Sequence, residues 1–366
     1  MKKIIKRVPI SLNEQYLKYL PEKSVFFDIE TTGFTAKKSQ LYLIGIVYPT
    51  EHDGVFECQQ FLNDDSDEQA ILHQFFETIK NFKNVIHFNG IGFDIPFIMA
   101  KCALYGLPYN FDHQANHDLY KESASLKNFI KQENLKQKTI EKFLGIHRED
   151  QYSGGELINI YYDYLKEKNE EKEQLLLLHN LEDICGMVQL LSLRSYADIL
   201  QGAFSFDSYK INSYQNYLGQ KKKELLITLH LETPVPQKIS GNFDSFFFMM
   251  EQTICKFKIT IYTGELKFFY PDYKNYYYLP EEDMAIHKSV AFYVDKDFRT
   301  QAKAANCYSR KTGMFLPEYA DVICPYFKKE YSDKIMYFEA DEKFFSSEEN
   351  IKRYVLHILN MIEKKK

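Results

Sequence analysis

Two carboxylates end an apolar run near the start of the chain, in the sequence VFFDIETTGF at residues 25–34. Asp28 and Glu30 are two residues apart, so on a strand their side chains point to the same face. Two like charges at that distance repel each other and normally raise the pKa of one carboxyl group. A hard divalent cation such as Mg2+ or Mn2+, which prefers oxygen ligands, removes this conflict. The alternative is a pair of solvated acids at a strand end.

A third acid follows another predicted strand, in HFNGIGFDIPFI at residues 87–98. Asp94 comes after a loop with two glycines and lies at the start of a predicted helix. Strand ends are where α/β folds place their sites, which makes this acid a candidate. Asp94 can also simply cap the helix, and Asn89 can be an ordinary turn residue.

A histidine and a fourth acid interrupt an apolar helical stretch, LLLLHNLEDICGMVQLL at residues 175–191. His179 and Asp183 are four residues apart and therefore share one helical face. An aspartate on that face is costly unless it is paired, hydrogen-bonded or bound to a metal. The simpler interpretation is a half-buried hydrogen bond between His179 and Asp183 at the helix edge.

Alternating strands and helices are predicted to position these segments within the first 200 residues. Short apolar runs predict strands, and longer segments with helical spacing predict helices. The predicted strands are SVFFDI, QLYLIGIVY, GVFECQQFL and NVIHF, and the predicted helices are DEQAILHQFFETIKNF and FDIPFIMAKCALYGL. Residues from about 125 to 193 are predicted to be mainly helical. This order predicts an α/β fold with a mixed sheet flanked by helices.

The pattern changes after about residue 200, where the sequence predicts a C-terminal α+β domain. The predicted strands are LLITLHLE, FFFMMEQTICKFKITIY, GELKFFYPDY and KIMYFEA. The predicted helices are one long helix, EEDMAIHKSVAFYVDKDFRTQAKAAN, and a terminal helix, ENIKRYVLHILNMIEKKK. A length of 366 residues fits two domains, which we place at residues 1–200 and 201–366.

Composition limits the compartment and the partners. The net charge of −5 does not by itself indicate a binder of polyanions. Six cysteines are scattered without a CxxC pair, which argues against a zinc site and a disulfide framework. This usage predicts a reducing, cytoplasmic location. No stretch reaches the ~18–20 apolar residues of a membrane-spanning helix, so we expect no membrane contact.

The three acidic segments follow the order DxE, then NxxxFDxPF, then HxxxD. This order resembles the DEDD superfamily of 3′–5′ exonucleases, and DIETTG matches the first motif of that superfamily closely. The stretches DLYKESASLKNFI at 118–130 and LKQKTIEKFLGIHREDQYSGGELINIYYDYL at 135–165, followed by HNLED, resemble the YprB-type ribonuclease H-like family. The resemblance covers roughly half the chain and implies a ribonuclease H-like fold, but it assigns no role to residues 201–366.

The resemblance implies a 3′–5′ exonuclease that hydrolyses phosphodiester bonds of DNA or RNA with two divalent cations, Mg2+ or Mn2+. Asp28, Glu30 and Asp183 would hold one cation, and Asp28 and Asp94 the second. Such a pair stabilises the attacking and leaving oxygens at phosphorus. His179 is the candidate general base, although it occupies the register of the tyrosine subtype, four residues before the last aspartate. His179 can equally be a structural partner of Asp183.

The expected partner is nucleic acid, as a single strand or a 3′ end. Its predicted contacts are backbone groups after the first strand, motif positions near the acids and basic side chains that meet phosphates. They are Thr31, Thr32, Gly33, Asn89, Phe93, Lys136, Lys138 and Arg148. Aromatic runs with lysines after residue 240 can form a stacking platform, although a chain without tryptophan also fills its core with phenylalanine and tyrosine.

Two other functions are compatible with the sequence. One is a non-catalytic nucleic-acid-binding module that retains the fold, which the unusual histidine register favours and the four carboxylates oppose. The other is a structure-specific endonuclease that uses the same residues.

Overall fold

The computed structural model describes residues 1–65, 67–216 and 218–363. The chain divides into two compact units. The first unit comprises Met1–Ala197 and Val235–Gln237, and the second comprises Asp198–Pro234 and the chain from Lys238 onwards. Within the described residues, no helix has both the length and the apolar character needed to cross a bilayer.

A six-stranded sheet forms the centre of the first unit. Its strands are β1 (Lys2–Pro9), β2 (Ser24–Thr31), β3 (Leu41–Pro49), β4 (Val55–Leu62), β5 (Asn84–His87) and β6 (Ala115–Asp118). They lie in the order β1-β4-β3-β2-β5-β6. The first four of these pair antiparallel, whereas β2, β5 and β6 run parallel. The prediction of a mixed sheet is therefore confirmed.

The end of β2 extends past its parallel neighbour. β2 pairs with β5 only over residues 24–26, while its pairing with β3 continues to Thr31. Parallel strands end at the same edge of a sheet, so the ends of β2, β5 and β6 meet on one side. β5 therefore does not pair with residues 28–30 of β2, and the chain that follows β5 can approach them on that side.

Helices cover both faces of this sheet. The helices of this part of the chain are α1 (Glu14–Leu17), α2 (Glu68–Ile79), α3 (Asp94–Tyr105), α4 (Leu119–Ser125), α5 (Lys127–Ile130), α6 (Gln137–Leu144), α7 (Gly154–Glu167), α8 (Glu170–Leu190) and α9 (Arg194–Leu200), within which the chain passes to the second unit. α2 and α3 pack on the face that carries Phe27, and α7 and α8 pack on the face that carries Tyr42. Successive strand residues alternate between faces, so Asp28 and Glu30 point to the side opposite Phe27.

The second unit is built mainly of antiparallel strands. They are β7 (Phe204–Gln215), β8 (Lys221–Asn242, of which Val235–Gln237 group with the first unit), β9 (Phe246–Phe269), β10 (Tyr276–Leu279), β11 (Met284–His287), β12 (Thr300–Gln301), β13 (Tyr308–Glu318), β14 (Tyr326–Phe327) and β15 (Met336–Glu339). One sheet has the order β14-β15-β13-β9-β8-β7, and a smaller one has the order β11-β10-β12. The helices are α10 (Lys288–Ala291), α11 (Glu342–Phe345) and α12 (Glu348–Glu363).

Two predictions for the second unit are wrong. The segment predicted as one long helix contains β11, the short α10 and β12. β11 and β12 pair with the tyrosine-rich β10, and Val290 and Tyr293 of the expected helical face are 57% and 87% exposed. Cross-strand pairing here overrides the local helical spacing.

The strand predicted over FFFMMEQTICKFKITIY and the first six residues of the one predicted over GELKFFYPDY form one continuous strand, β9, which ends at Phe269. The predicted terminal helix is confirmed as α12, although its last predicted residues, 364–366, lie outside the described residues.

Candidate active site

Four acidic side chains meet where β2 ends. Asp28 and Glu30 lie on the face of β2 that α8 covers, and Asp183 belongs to α8 itself. Asp94 is the first residue of α3, which follows β5. Burial, and then the charges of Asp94, Asp183 and Glu30, raise the pKa of Asp28 well above its ordinary value. The fold therefore brings together the acids of all three sequence segments.

Glu30, His179 and Asp183 form the tightest part of this cluster. One potential ligand atom from each lies within 4.8 Å of the others. His179 Nε2 is 3.6 Å from Glu30 Oε1 and 3.4 Å from Asp183 Oδ2. Burial, and then the charge of Asp183, raise the pKa of Glu30 well above its ordinary value. An imidazole nitrogen and two carboxylate oxygens at these distances can hold a divalent cation.

Asn180, which follows His179 on α8, holds Asp28. Its Nδ2 donates to Asp28 Oδ2 at 3.2 Å, and its Oδ1 accepts from Gln60 Nε2 at 3.0 Å. Gly45 of β3 makes room for this amide, because a Cβ atom there would lie 1.9 Å from Asn180 Oδ1. A glycine in the middle of an apolar strand thus allows a close approach of α8 to the sheet.

Asp94 does not cap α3. The N-cap residue is Phe93, which makes no capping hydrogen bond with its side chain. Asp94 Oδ1 instead accepts a hydrogen bond of 3.2 Å from the backbone N–H of Ile29, between the two acids of β2. Burial raises the pKa of Asp94 to about 7, although backbone hydrogen bonds act to lower it. The capping alternative is therefore wrong, and this buried carboxyl group lies at the open edge of β2.

Arg148 pairs with one of the acids. Its guanidinium lies 2.6 Å from Asp183 Oδ1 and donates to Glu141 Oε1 at 2.7 Å. Gly186 of α8 allows Glu141 to approach, because a Cβ atom there would lie 2.0 Å from Glu141 Oε1. The Arg148 side chain is 8% exposed, so the phosphate contact predicted for it would require these pairs to open. In this arrangement Arg148 orients Asp183.

The residues present fit divalent cations. Apart from His179, Arg148 is the one basic side chain among the described residues that pairs with any of the four acids. Buried like charges are costly, and the raised pKa values of Asp28, Glu30 and Asp94 are the consequence. Hard cations supply the missing positive charge and accept carboxylate oxygens as ligands.

Asp150, in the loop before α7, was missed by sequence reasoning. Its side chain is 1% exposed and accepts a hydrogen bond of 2.6 Å from His179 Nδ1. Lys138 Nζ lies 2.8 Å from the same carboxylate oxygen. Burial acts to raise the pKa of Asp150, but hydrogen bonds from Lys138, the Tyr152 backbone and His179 leave it below its ordinary value. A proton on Nδ1 leaves Nε2 with a free lone pair that faces the acids.

Glu182 holds the loop that carries Asp150. Its carboxylate accepts hydrogen bonds from the backbone N–H of Glu149 at 2.7 Å and of Asp150 at 3.0 Å. Glu182 belongs to the HNLED segment, so one turn of α8 carries His179 and also fixes the loop that orients it. The sequence signal of this link is Glu182, the first acid of HNLED, which was not among the predicted site residues.

The turn after β2 engages both predicted threonines. Thr31 Oγ1 donates to the Gly33 carbonyl at 2.9 Å, and Thr32 Oγ1 accepts a backbone N–H at 2.8 Å. Their hydroxyl groups therefore shape the turn. Directly after it, Phe34 packs edge to face on Phe93 with ring centroids 6.1 Å apart, and Phe34 is 92% exposed. Phe34 directly follows Gly33 and was not among the predicted contacts.

The other predicted contacts differ in what they already bind. Asn89 is exposed at φ 61°, which asparagine tolerates, and its N–H donates to Asp118 Oδ1 at 2.9 Å. Lys136 is exposed at the start of α6, and no ion pair joins it to a described carboxylate. Lys138 pairs with Asp150, and Arg148 pairs with Asp183. Asn89 and Lys136 are thus free to meet a substrate, whereas the other two are already engaged.

Comparison with known families agrees with this architecture. Residues 25–195 match a family model described as RNase H superfamily, a family of nuclease-type enzymes. The predicted fold class, a ribonuclease H-like mixed sheet flanked by helices, is therefore confirmed. No curated protein matches the chain.

Solved structures similar to this chain include a polymerase and exonucleases. The family B DNA polymerase from the hyperthermophilic archaeon Pyrobaculum calidifontis has 13% identity and a TM-score of 0.37, covering 70% of this chain and 36% of that chain. E. coli exonuclease I in complex with a 5cy-dA13 oligonucleotide has 12% identity and a TM-score of 0.29, covering 58% and 55%. The zinc-bound form of the E. coli exonuclease I complex with single-stranded DNA has 11% identity and a TM-score of 0.27, also covering 58% and 55%. This chain thus spans about half or less of those chains.

Proposed function

We propose that the first unit is a metal-dependent 3′–5′ exonuclease of the DEDD superfamily, in its YprB-type branch. The observation that carries the proposal is that Asp28, Glu30, Asp94 and Asp183, from three distant segments, come close enough at the end of β2 for their charges to interact. A purely structural role does not account for Asp28 and Glu30, whose pKa values are raised by burial and also by the charges of Asp94 and Asp183. Six free cysteines support the further proposal of a reducing, cytoplasmic compartment.

Each acid has a proposed role toward two divalent cations, Mg2+ or Mn2+. Asp28, Glu30 and Asp183 would hold one cation, and Asp28 and Asp94 the other. When bound, the cations would stabilise charge on the attacking and leaving oxygens of a phosphodiester. Asn180 orients Asp28, and a backbone N–H of β2 orients Asp94, so both carboxylates are positioned in advance.

His179 is the proposed general base. Asp150 accepts the Nδ1 proton, so Nε2 is free to take a proton from the water that attacks phosphorus. Nε2 faces Glu30 and Asp183, which places the base beside the proposed ligands. A histidine in the tyrosine register is compatible with this role because the Asp150 loop fixes the plane of its ring.

The proposed nucleotide contacts surround the acids. The turn at residues 31–33 offers backbone N–H groups to the terminal nucleotide. The exposed ring of Phe34, supported by Phe93, offers a surface on which a base can stack. Asn89 and Lys136 are free to donate to sugar and phosphate oxygens. The proposed substrate is therefore a single strand that enters with its 3′ end.

The test uses 5′-labelled single-stranded DNA and RNA with Mg2+ or Mn2+. The expected result is a ladder of products that shortens from the 3′ end of one or both strands. Discrete internal cuts would instead identify a structure-specific endonuclease. Retained binding without any cleavage would identify a non-catalytic binding module.

Asp28→Asn tests the acids directly. We expect this variant to fold as the wild type does and to lose cleavage by about 10³-fold or more, because a shared cation ligand is removed. Asp112→Asn, which changes an exposed acid of the same unit, is the matched control and should keep the wild-type rate. Cleavage by Asp28→Asn at the wild-type rate would overturn the proposal.

A further inference from the structure

A cavity of about 350 Å³ in the second unit is lined by four lysines. Its lining includes Lys221, Lys222 and Lys223 at the start of β8 and Lys329 between β14 and β15. Asp244 is the one acidic side chain among the described residues that line it. The wall therefore carries a net positive charge.

The four lysines lack carboxylate partners in the part of the chain that the structure describes. By contrast, Lys238, Lys258 and Lys267 of the same sheet each pair with a glutamate. Lys221, Lys222 and Lys223 are consecutive and all line the cavity, so their positive charges repel one another. Lys223 Nζ donates to Met314 Sδ at 3.3 Å, which does not neutralise its charge. Such a concentration of positive charge without carboxylate partners attracts an anion that meets several ammonium groups at once.

Two tyrosines share the wall with these lysines. Lys329 Nζ lies 4.8 Å from the ring centroid of Tyr262 and 5.8 Å from that of Tyr337. The two rings are 5.5 Å apart and tilted by 48°, and both are half-buried, so packing fixes them while part of each ring stays accessible. Positive side chains next to fixed aromatic rings are the combination that binds the phosphates and bases of single strands.

We infer that this cavity binds a single-stranded nucleic acid, with the lysines on its phosphates and a base against the tyrosine pair. Lysine acts as a point charge toward phosphate, which suits a backbone that is read without sequence preference. The choice of nucleic acid over other phosphate-bearing ligands rests on the proposed function. The volume lies near the lower end of the ~300–1,000 Å³ range of ligand sites, so the cavity takes a short portion of a strand.

The test is fluorescence anisotropy with a labelled oligothymidylate in EDTA, where no cleavage occurs. Replacing the four lysines by alanine should weaken binding at least tenfold. It should also lower the slope of log Kd against log salt concentration by about 3, since each phosphate contact on a single strand contributes about 0.7. The variant is Lys221→Ala, Lys222→Ala, Lys223→Ala and Lys329→Ala combined. The corresponding four-arginine variant should retain the affinity and the slope.

A matched control removes the same charge elsewhere in the second unit. Four exposed lysines outside the cavity are replaced by alanine, and this variant should bind as the wild type does. They are Lys288, Lys296, Lys303 and Lys343. Thermal unfolding of both alanine variants checks that each is folded.

Three results would overturn the inference. The first is that the wild type and the cavity variant have the same affinity and the same salt slope. The second is that the wild type does not bind the strand in EDTA. The third is that inorganic phosphate or a mononucleotide displaces the strand at a concentration similar to that of the strand itself. The last of these would identify a site for small phosphates. Failure of the proposed function is distinguishable, because Asp28→Asn should still bind the strand, and the cavity variant should still cleave it at saturating concentration.

Discussion

The two units place their charged side chains in opposite ways. In the first unit, Asp94 is buried and Asp28 and Glu30 are half-buried, and hydrogen bonds hold all three in fixed positions. In the second unit, Lys221 and Lys222 are exposed at the wall of a cavity. Buried like charges are costly until a ligand of opposite charge arrives, whereas exposed lysines stay hydrated at little cost. The first arrangement is typical of a site that holds a cation or a reacting group in one position. The second is typical of a surface that attracts a polyanion without fixing its position.

This difference predicts two sensitivities to substitution. A buried acid in a hydrogen-bonded network has one position, so its loss affects binding of the cation and orientation of its neighbours together. An exposed lysine contributes one phosphate contact among several, and such contributions are small and nearly additive. Single substitutions should therefore change activity by orders of magnitude in the first unit and change affinity by small factors in the second.

After Asp28→Asn, Glu30→Gln is expected to have the largest effect. Glutamine keeps the shape of the side chain and its contact with the Tyr42 hydroxyl, which is 3.4 Å from Glu30 Oε2, but removes the negative charge. Cleavage should fall about 10³-fold, because a proposed cation ligand is lost. The rise in Tm on addition of Mn2+ should also shrink. Single-turnover cleavage and thermal unfolding measure the two effects.

Glu77→Gln, at an exposed position on α2, is the control for Glu30→Gln and should leave both measurements unchanged. A full Mn2+-induced rise in Tm for Glu30→Gln would show that Glu30 is not a ligand.

The pH dependence of stability is the second prediction. The pKa of Asp94 is raised to about 7 in the folded protein, mainly by burial, and returns to about 3.9 in the unfolded chain. Between these values the folded state keeps a proton that the unfolded state has released, so the free energy of unfolding falls as pH rises. The full penalty, on the order of 4 kcal/mol, is reached above about pH 7. Urea unfolding in EDTA from pH 5 to 8 should show this decline, and Asp94→Asn should reduce it.

Mg2+ distinguishes Asp94 from a buried acid of the second unit. A cation held by Asp94 takes the place of the proton, so Mg2+ should restore stability at high pH. Burial also raises the pKa of Glu318 to about 7, but its carboxylate accepts hydrogen bonds from the backbone N–H groups of Val322 and Ile323. Glu318→Gln should reduce the fall in the free energy of unfolding with pH by the same amount with and without Mg2+. A decline that Mg2+ leaves unchanged in the wild type would contradict the ligand role of Asp94.

The sequence predicts the site correctly where the local residue pattern and the fold agree. An apolar run that ends in two acids predicts a buried strand with a site at its end, and β2 has this form. The prediction that Asp28, Asp94 and Asp183 converge needed the order of the motifs as well, because no local pattern relates residues so far apart. The glycines of β3 and α8 are interpretable only once their neighbours are known, since Asn180 and Glu141 fill the space that a Cβ atom would need.

The sequence was uninformative where partners come from distant loops. Arg148 looks like a free basic residue, yet its carboxylate partners come from α6 and α8. Asp150 lies in a loop without periodicity, 29 residues from His179, so nothing local marks it as the partner of that histidine. The second unit shows the same limit, since β11 and β12 depend on pairing with β10 and local helical spacing is misleading there.

Asp150→Asn should have an intermediate effect, because it acts through His179. Partners that orient a ligand or base typically contribute 10–100-fold, and we expect cleavage to fall by about that factor. Asparagine can donate as well as accept, so His179 should lose its preference for the proton on Nδ1. Two-bond 1H–15N correlation spectra of the metal-free protein report the tautomer directly. An unchanged tautomer with reduced cleavage would contradict the orienting role.

Lys138→Met is the comparison for Asp150→Asn. It removes the second partner of Asp150 but leaves the hydrogen bond to His179, and the Lys138 side chain is 45% exposed. Cleavage should fall less than in Asp150→Asn, and the tautomer should stay as in the wild type.

Lys222→Ala should have the smallest effect and tests the other side of the comparison. A single phosphate contact on a single strand contributes about 0.7 to the salt slope, which corresponds to about a threefold change in relative affinity between 50 and 200 mM salt. The gap between the wild type and Lys222→Ala in EDTA should therefore narrow by about that factor as salt rises. A salt-independent loss would mean that Lys222 acts through packing. A hundredfold loss of affinity would make the cavity lysines as sensitive to substitution as the acids at the end of β2. The contrast between the two units would then fail.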